Sequence, residues 1–357
     1  MRTATQTPFG RMTTSTPTAL WNDSADPDEL SRSIAFGAVG ATCNPVIALT
    51  AIRSNPDVWR PRLRELADSH PTWGESEIGW AAVAELSIEA ARILEPAFEA
   101  SQGRNGRLSI QTDPRLHRDV DALVEQAVEF SQLATNIIVK IPATRRGIAA
   151  IEEAAFRGVS INATLSFTVA QAVAVGEALE RALERRTAAG LPAQEFGHVV
   201  TIMGGRLDDW LKTWTAREGI LTTPGVLDWA GVAALKRAYS IFRERGYRSR
   251  ILSAAFRSHL HWSELVGGDL VISPPFEWQQ RIQQSDFLGE SRIDEPVARA
   301  TLEELSTLSE FRRAYEPDGM RAEEFEDFGA SRHTLRQFLD ADAQLDALVR
   351  DVVVGAP

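Results

Sequence analysis

Eight short apolar segments punctuate the chain, at 19–24, 38–43, 107–112, 136–142, 159–165, 197–203, 250–256 and 269–273. Apolar and β-branched residues run together in them, as in Ile137-Ile138-Val139, without a polar alternate position. A strand buried on both faces, as in a parallel sheet beneath helices, produces this pattern. Between the segments the apolar positions recur with a helical period. Leu116, Val120, Leu123, Val124, Ala127 and Leu133 form one stripe from Pro114, and Val169, Ala172, Val173, Leu179 and Leu183 form another from Thr168. Gly190 and Pro192 then predict the end of the second helix. Eight strands, each followed by helix, predict an α/β chain built as a single (β/α)8 (TIM) barrel. The pattern alone also leaves an open, doubly wound sheet standing.

After about residue 286 the texture changes to charged and helical, with stretches at 296–308 and 331–353 and no convincing strand. Leu335, Phe338, Leu339, Leu345, Leu348 and Val349 make a stripe that predicts a helix lying against the barrel. No linker precedes this extension, so residues 18–357 read as one domain. Residues 1–17, rich in Thr and Pro and without an apolar core, read as a flexible tail rather than a signal peptide.

Composition narrows the function classes. Of 357 residues, 44% are hydrophobic and 24% charged, as in a globular protein. Lys plus Arg number 38 against 49 Asp plus Glu, and the net charge of -11 argues against nucleic acid and anionic membranes as partners. No run reaches the roughly 20 apolar residues of a membrane helix. The single cysteine, Cys43, excludes an internal disulfide. These features together read as a globular protein of the cytoplasm and leave phosphorylated small molecules open as partners. Self-association into a homo-oligomer is left open.

In a barrel the chemistry collects at the carboxyl ends of the strands. The polar residues there are Asp23, Thr42, Asn44, Gln111, Asp113, Lys140, Asn162, Thr164, Thr201 and Arg257, with Arg206 just beyond the sixth strand. Lys140 lies inside an apolar run, where desolvation lowers an amine's pKa and leaves it neutral and nucleophilic toward a carbonyl. A brace paired with a carboxylate is an equal reading of the same lysine. Arg206, after Gly204-Gly205, and Arg257 suit a phosphate, whose oxygens accept the guanidinium fork. For Arg206 a salt bridge to Asp208 or Asp209 is the competing reading. His259, His261 and Glu264 form a weak metal pattern: 259 and 261 do not share a helix face, and no metal is expected. Glu152-Glu153 and Glu303-Glu304 read as solvated helix faces. The tryptophans from Trp21 to Trp278 read as packing and pocket wall.

Five ordered motifs resemble the transaldolase family, from about Leu20 to Val352. They are Gly40-Ala41-Thr42-Cys43-Asn44-Pro45, Ile138-Val139-Lys140-Ile141-Pro142-Ala143-Thr144, Ser160-Ile161-Asn162-Ala163-Thr164-Leu165, Gly205-Arg206-Leu207-Asp208-Asp209-Trp210 and Ala254-Ala255-Phe256-Arg257. Thr334-Leu335-Arg336-Gln337-Phe338 is similar to the family's last helix. The resemblance implies a class I mechanism without metal or cofactor, acting on sugar phosphates of the pentose phosphate type. Lys140 would form the Schiff base and Asp23 would handle the C4 hydroxyl proton. Asn44 and Asn162 would hold donor hydroxyls, Thr164 would position a catalytic water, and Arg206 and Arg257 would grip the phosphate. Thr42 and Thr201 would complete the substrate contacts.

The chain departs from that pattern at informative places. Transaldolases carry a glutamate where Gln111 stands, and a glutamine hydrogen-bonds a water without accepting its proton. The related fructose 6-phosphate aldolases share the glutamine but use a tyrosine where this chain has Met203. Thr201 and Ala255 replace frequent serines. Three readings follow: a transaldolase moving a dihydroxyacetone unit, an aldolase-like lyase, and a non-catalytic sugar-phosphate binder. Retention of Lys140 and Asp23 ranks the binder last.

Overall fold

A computed structural model describes residues 7–192, 197–287 and 289–355. Eight strands, β1 (Ala19–Asn22), β2 (Ala38–Thr42), β3 (Arg107–Gln111), β4 (Ile137–Pro142), β5 (Ile161–Thr164), β6 (Val199–Ile202), β7 (Arg250–Ser253) and β8 (Val271–Ile272), close in chain order into a barrel. All pairs are parallel, and β1 meets β8 through Ala19 opposite Val271 and Leu20 opposite Ile272. That last pairing decides between the two architectures the periodicity left standing: the sheet has no open edge.

Every strand is buried on both faces, but the two faces pack in separate clusters. Ala19, Trp21, Ile138, Val199, Leu252, Ala254 and Val271 fill the barrel interior, while the alternate residues join the larger core shared with the helices. Trp21 plugs the interior so closely that a Cβ on Gly40 would lie 2.5 Å from its indole. Only glycine fits at that point of β2.

Two segments differ from expectation. Residues 7–17 are not a loose tail: Pro8–Ser15 is a helix, capped by Thr7, with Phe9 and Met12 completely buried. The Phe9 ring meets Trp262 edge-on at 5.7 Å, and Trp262 Nε1 donates to Met12 Sδ at 3.3 Å. Two apolar side chains suffice to anchor two helical turns, too few to register as a periodic stripe in a Thr- and Pro-rich stretch. Residues 1–6 of the expected tail lie outside the described residues. The stripe expected from Pro114 also divides, into a 3-10 turn at Pro114–Leu116 and a helix at Val120–Ser131 that starts where Asp119 Oδ1 accepts from Ala122 N.

The C-terminal extension contains the helices Arg299–Thr307, Ser309–Tyr315 and Gly329–Val353. The last one packs on Pro45–Ser54 and Glu75–Ala100 and buries Phe338, Leu345 and Val349. Polar ties fix it at two points beside the strand ends. Arg115, after β3, reaches Asp342 at 3.0 Å while also pairing with Asp113 at 2.7 Å. Arg206 donates to Thr334 Oγ1 at 3.1 Å and to Gln337 Oε1. Truncating the buried Phe338 to alanine should cost about 3–5 kcal/mol of stability, the usual figure for a fully buried phenylalanine. Chemical denaturation checks this; an unshifted midpoint would show that the helix is not integral to the fold.

Candidate active site

Strand alternation and barrel closure together build the site. Inward positions are apolar at the level of Ile138 and Val199, and become polar two residues further along, at Lys140 and Thr201. The register sets Gln111 beside Lys140 and Lys140 beside Asn162, so three neighbouring strands present an amide, an amine and an amide to the mouth.

Lys140 is 4% exposed. Burial holds its pKa below the usual lysine range, and the nearby Arg206 pushes in the same direction, while Asp23 and Cys43 oppose them. Burial also drives the Cys43 thiol up to about 12, so this residue stays an uncharged thiol at neutral pH. Asp23 is therefore the anion that matters to Lys140. It is half-buried directly after β1, and Thr42 Oγ1 donates to its Oδ1 at 2.7 Å.

Asn162 is clamped from both sides. Its Nδ2 donates to Ser109 Oγ at 3.0 Å, and its Oδ1 accepts from Thr201 Oγ1 at 2.7 Å. The clamp orients the amide but also uses it. Asn44 is likewise half committed: its Oδ1 caps the helix Pro45–Ser54 by accepting from Val46 N and Ile47 N, which leaves its amide protons to face a ligand. Two oxygens here differ from the rest. Gln111 Oε1 and Thr164 Oγ1 are buried and receive no hydrogen bond from the protein. Buried polar atoms of this kind usually find a partner, and here a substrate or water hydroxyl fits both.

The arginines complete the rim. Arg206 is half-buried, and both its burial and the neighbouring Arg257 lower its pKa. Its guanidinium lies 5.9 Å from the Phe338 ring. Arg257 is exposed and donates from Nε to Asp209 Oδ2 at 2.7 Å. The salt bridge weighed for Arg206 therefore belongs to Arg257, and Arg206 is held by the last helix. Two guanidiniums that repel each other make a place an anion stabilises. The backbone is tight there: a Cβ on Gly205 would stand 1.9 Å from the Ala255 carbonyl oxygen, and Ala255 has φ +60°.

The weak metal pattern resolves into separate contacts. His259 stacks on Phe287, Glu264 pairs with Lys236 and Arg292, and His261 lies 3.0 Å from Asp208. Sequence reasoning missed Ser109, although its even spacing from Gln111 along β3 puts it on the same inward face. It also missed Gln171, whose Nε2 donates to the carbonyls of Ala143 and Leu165 and ties the loops after β4 and β5, where Leu165 takes φ +51°. No local pattern marks that second residue.

A closed (β/α)8 barrel with a buried lysine, a half-buried aspartate and two arginines at the carboxyl ends of its strands defines a class of lysine-bearing barrel proteins. The comparisons place it within that class. The model of the family described as Transaldolase/Fructose-6-phosphate aldolase matches residues 20–337, and the chain belongs to that family. Transaldolase 1 of Streptomyces avermitilis is 33% identical over 208 residues, 58% of this chain and 54% of its own length. Transaldolase 1 of Streptomyces coelicolor is 35% identical over 202 residues, 56% of this chain and 51% of its own. The chain thus spans about half the length of these relatives. Over nearly full length, 94% of this chain and 95% of the relative, it is 27% identical to a transaldolase of Alteromonas mediterranea. Among the described residues, no helix is long and apolar enough to cross a membrane.

Proposed function

We propose that this protein is a class I transaldolase that moves a dihydroxyacetone unit between sugar phosphates in the cytoplasm. The observation that carries the reading is Lys140 itself, a buried amine of lowered pKa on the inward face, within the electrostatic reach of Asp23. Its lone pair adds to the donor's C2 ketone, and the carbinolamine loses water to give the imine. Asp23 takes the C4 hydroxyl proton as the C3–C4 bond breaks. The aldehyde leaves, and the bonding electrons remain on the lysine-bound fragment as an enamine. Addition of that enamine to an acceptor aldehyde and hydrolysis of the new imine return free Lys140. Thr164 and Gln111 hold the water that enters and leaves. Asn44 and Asn162 bind donor hydroxyls, with Thr42 and Thr201 orienting Asp23 and Asn162 in turn.

A specific observation keeps the lyase as a second reading. Gln111 Oε1 is buried without a donor from the protein, and a glutamine at this position is what the chain shares with the fructose 6-phosphate aldolases it resembles, so release of the three-carbon ketone competes with transfer. A panel of ketose phosphates, run with and without an acceptor aldehyde, separates the two. Product that forms only with acceptor supports transfer; equal cleavage without it supports the lyase.

The arginine rim gives a separate expectation. Arg257→Ala should raise KM for phosphorylated donors by roughly one to two orders of magnitude, the equivalent of about 1.5–3 kcal/mol for a charge-assisted contact. Unphosphorylated donors should change little. Equal effects on both would make the arginine structural.

A further inference from the structure

We infer that Asp208 and His261 form a buried positioning pair that holds the loop carrying Arg257 in the shape that receives a phosphate. The inference rests on the phosphate-binding role proposed above for Arg206 and Arg257.

Both side chains are completely buried, with His261 Nε2 3.0 Å from Asp208 Oδ2. Asp208 lies on the helix Gly204–Glu218, two residues beyond Arg206, and its Oδ1 accepts from Gly231 N at 2.8 Å. The carboxylate is thus fixed between two helices before it meets the imidazole. On the other side of the ring, His261 Nδ1 accepts from Arg257 N at 3.2 Å and from Ser258 N at 3.4 Å. An atom facing two N–H donors carries no proton, so the ring proton sits on Nε2, the nitrogen 3.0 Å from Asp208 Oδ2, in a close charge contact too bent to count as a hydrogen bond. Asp208 selects the tautomer, and the tautomer makes Nδ1 an acceptor for the loop.

The loop needs such a restraint. Ala255 sits at φ +60°, a region side chains disfavour, and its carbonyl is in backbone contact with Gly205 at the start of the arginine helix. Ser253 Oγ donates to the His261 carbonyl at 3.1 Å, tying the short helix Leu260–Ser263 back to the end of β7. Arg257's guanidinium is oriented by Asp209, but its backbone is oriented by His261. An aliphatic residue of similar volume at 261 would preserve packing yet leave two amides without their acceptor.

Two substitutions at one position separate positioning from packing. His261→Gln places an amide nitrogen near Nε2, keeping the Asp208 contact while losing the loop acceptor. His261→Asn places an oxygen near Nδ1, keeping the loop acceptor while losing Asp208. His261→Gln should raise both KM for a phosphorylated ketose and Ki for inorganic phosphate about tenfold or more, with kcat and unphosphorylated donors little changed. His261→Asn should stay near wild type in both. Asp208→Asn keeps an oxygen for Gly231 N but turns an NH2 toward the imidazole. It forces the other tautomer against the loop amides, and should match His261→Gln. If the His261 variants do not fold, the phosphate Ki of Asp208→Asn decides, and a wild-type value overturns the pair. So does an equal shift in His261→Gln and His261→Asn, or a loss shared by both donor types. The parallel Arg257→Ala protein tells the failures apart. A phosphate-selective effect there with a silent His261→Gln removes only the pair; loss of selectivity in Arg257→Ala removes the phosphate reading and the pair together.

Discussion

Lys140→Ala should lose the borohydride-trapped adduct completely and lower turnover by on the order of 10⁴-fold or more, as removal of a covalent nucleophile does. In the wild-type protein, borohydride added with a ketose donor should fix a three-carbon mass on the peptide containing Lys140. Trapping that persists at full yield in Lys140→Ala would sink the assignment. The pH dependence follows from the direction of the pKa shift. Addition needs the neutral amine, and burial lowers the pKa of Lys140 from the ordinary 10.5. Adduct formation should therefore rise as pH climbs through the lowered value and level off above it, at a lower pH than for an exposed lysine. The same shift predicts a stability effect of defined sign. The unfolded chain binds the proton more tightly than the folded one, so at neutral pH this lysine opposes folding and the penalty fades as pH rises. Lys140→Met should accordingly keep or raise the denaturation midpoint while abolishing the adduct, which separates chemistry from folding.

Gln111→Glu should speed imine formation and raise the ratio of transfer to free cleavage. General acid–base assistance contributes roughly 10²–10⁴-fold. Gln111 neighbours Lys140 in register, and its Oε1 is buried without a donor from the protein, so a carboxylate oxygen there needs no existing bond to be broken. A protonated lysine or iminium beside it favours the ionised form. Burial acts in the opposite sense: a carboxyl held protonated would show lost activity in a folded protein. The measurement is the transfer-to-cleavage ratio on one donor, with and without acceptor aldehyde. A ratio unchanged or lowered in Gln111→Glu would remove this position as the switch between transfer and lyase behaviour. Met203 makes the comparison clean, since it is buried and offers no proton of its own.

The strands and the central lysine were legible from the chain because both are statements about burial at single positions. A run such as Ile137-Ile138-Val139-Lys140-Ile141 reports that its surroundings are apolar on both faces, and an amine inside it is desolvated whatever the partners are. The residues at the strand ends were legible for the same reason, since alternation assigns them to the mouth once the strands are found. The ordered motifs likewise identified the family. Periodicity is silent on partners. It read residues 1–17 as loose because Phe9 and Met12 are buried against distant parts of the chain, Trp262 and the helix Phe276–Gln284 among them. It offered Asp209 to Arg206, whereas the fold gives that carboxylate to Arg257 and secures Arg206 with Thr334 and Gln337 of the last helix. It grouped His261 with His259 and Glu264 by nearness in sequence, whereas barrel closure brings it to Asp208 across more than fifty residues. What each residue's environment is like was thus determined locally, by apolar patterning. Which residue answers which was decided only when β1 met β8 and the C-terminal helix lay down beside the strand ends, because a hydrogen bond or ion pair depends on a few ångströms that only long-range packing sets.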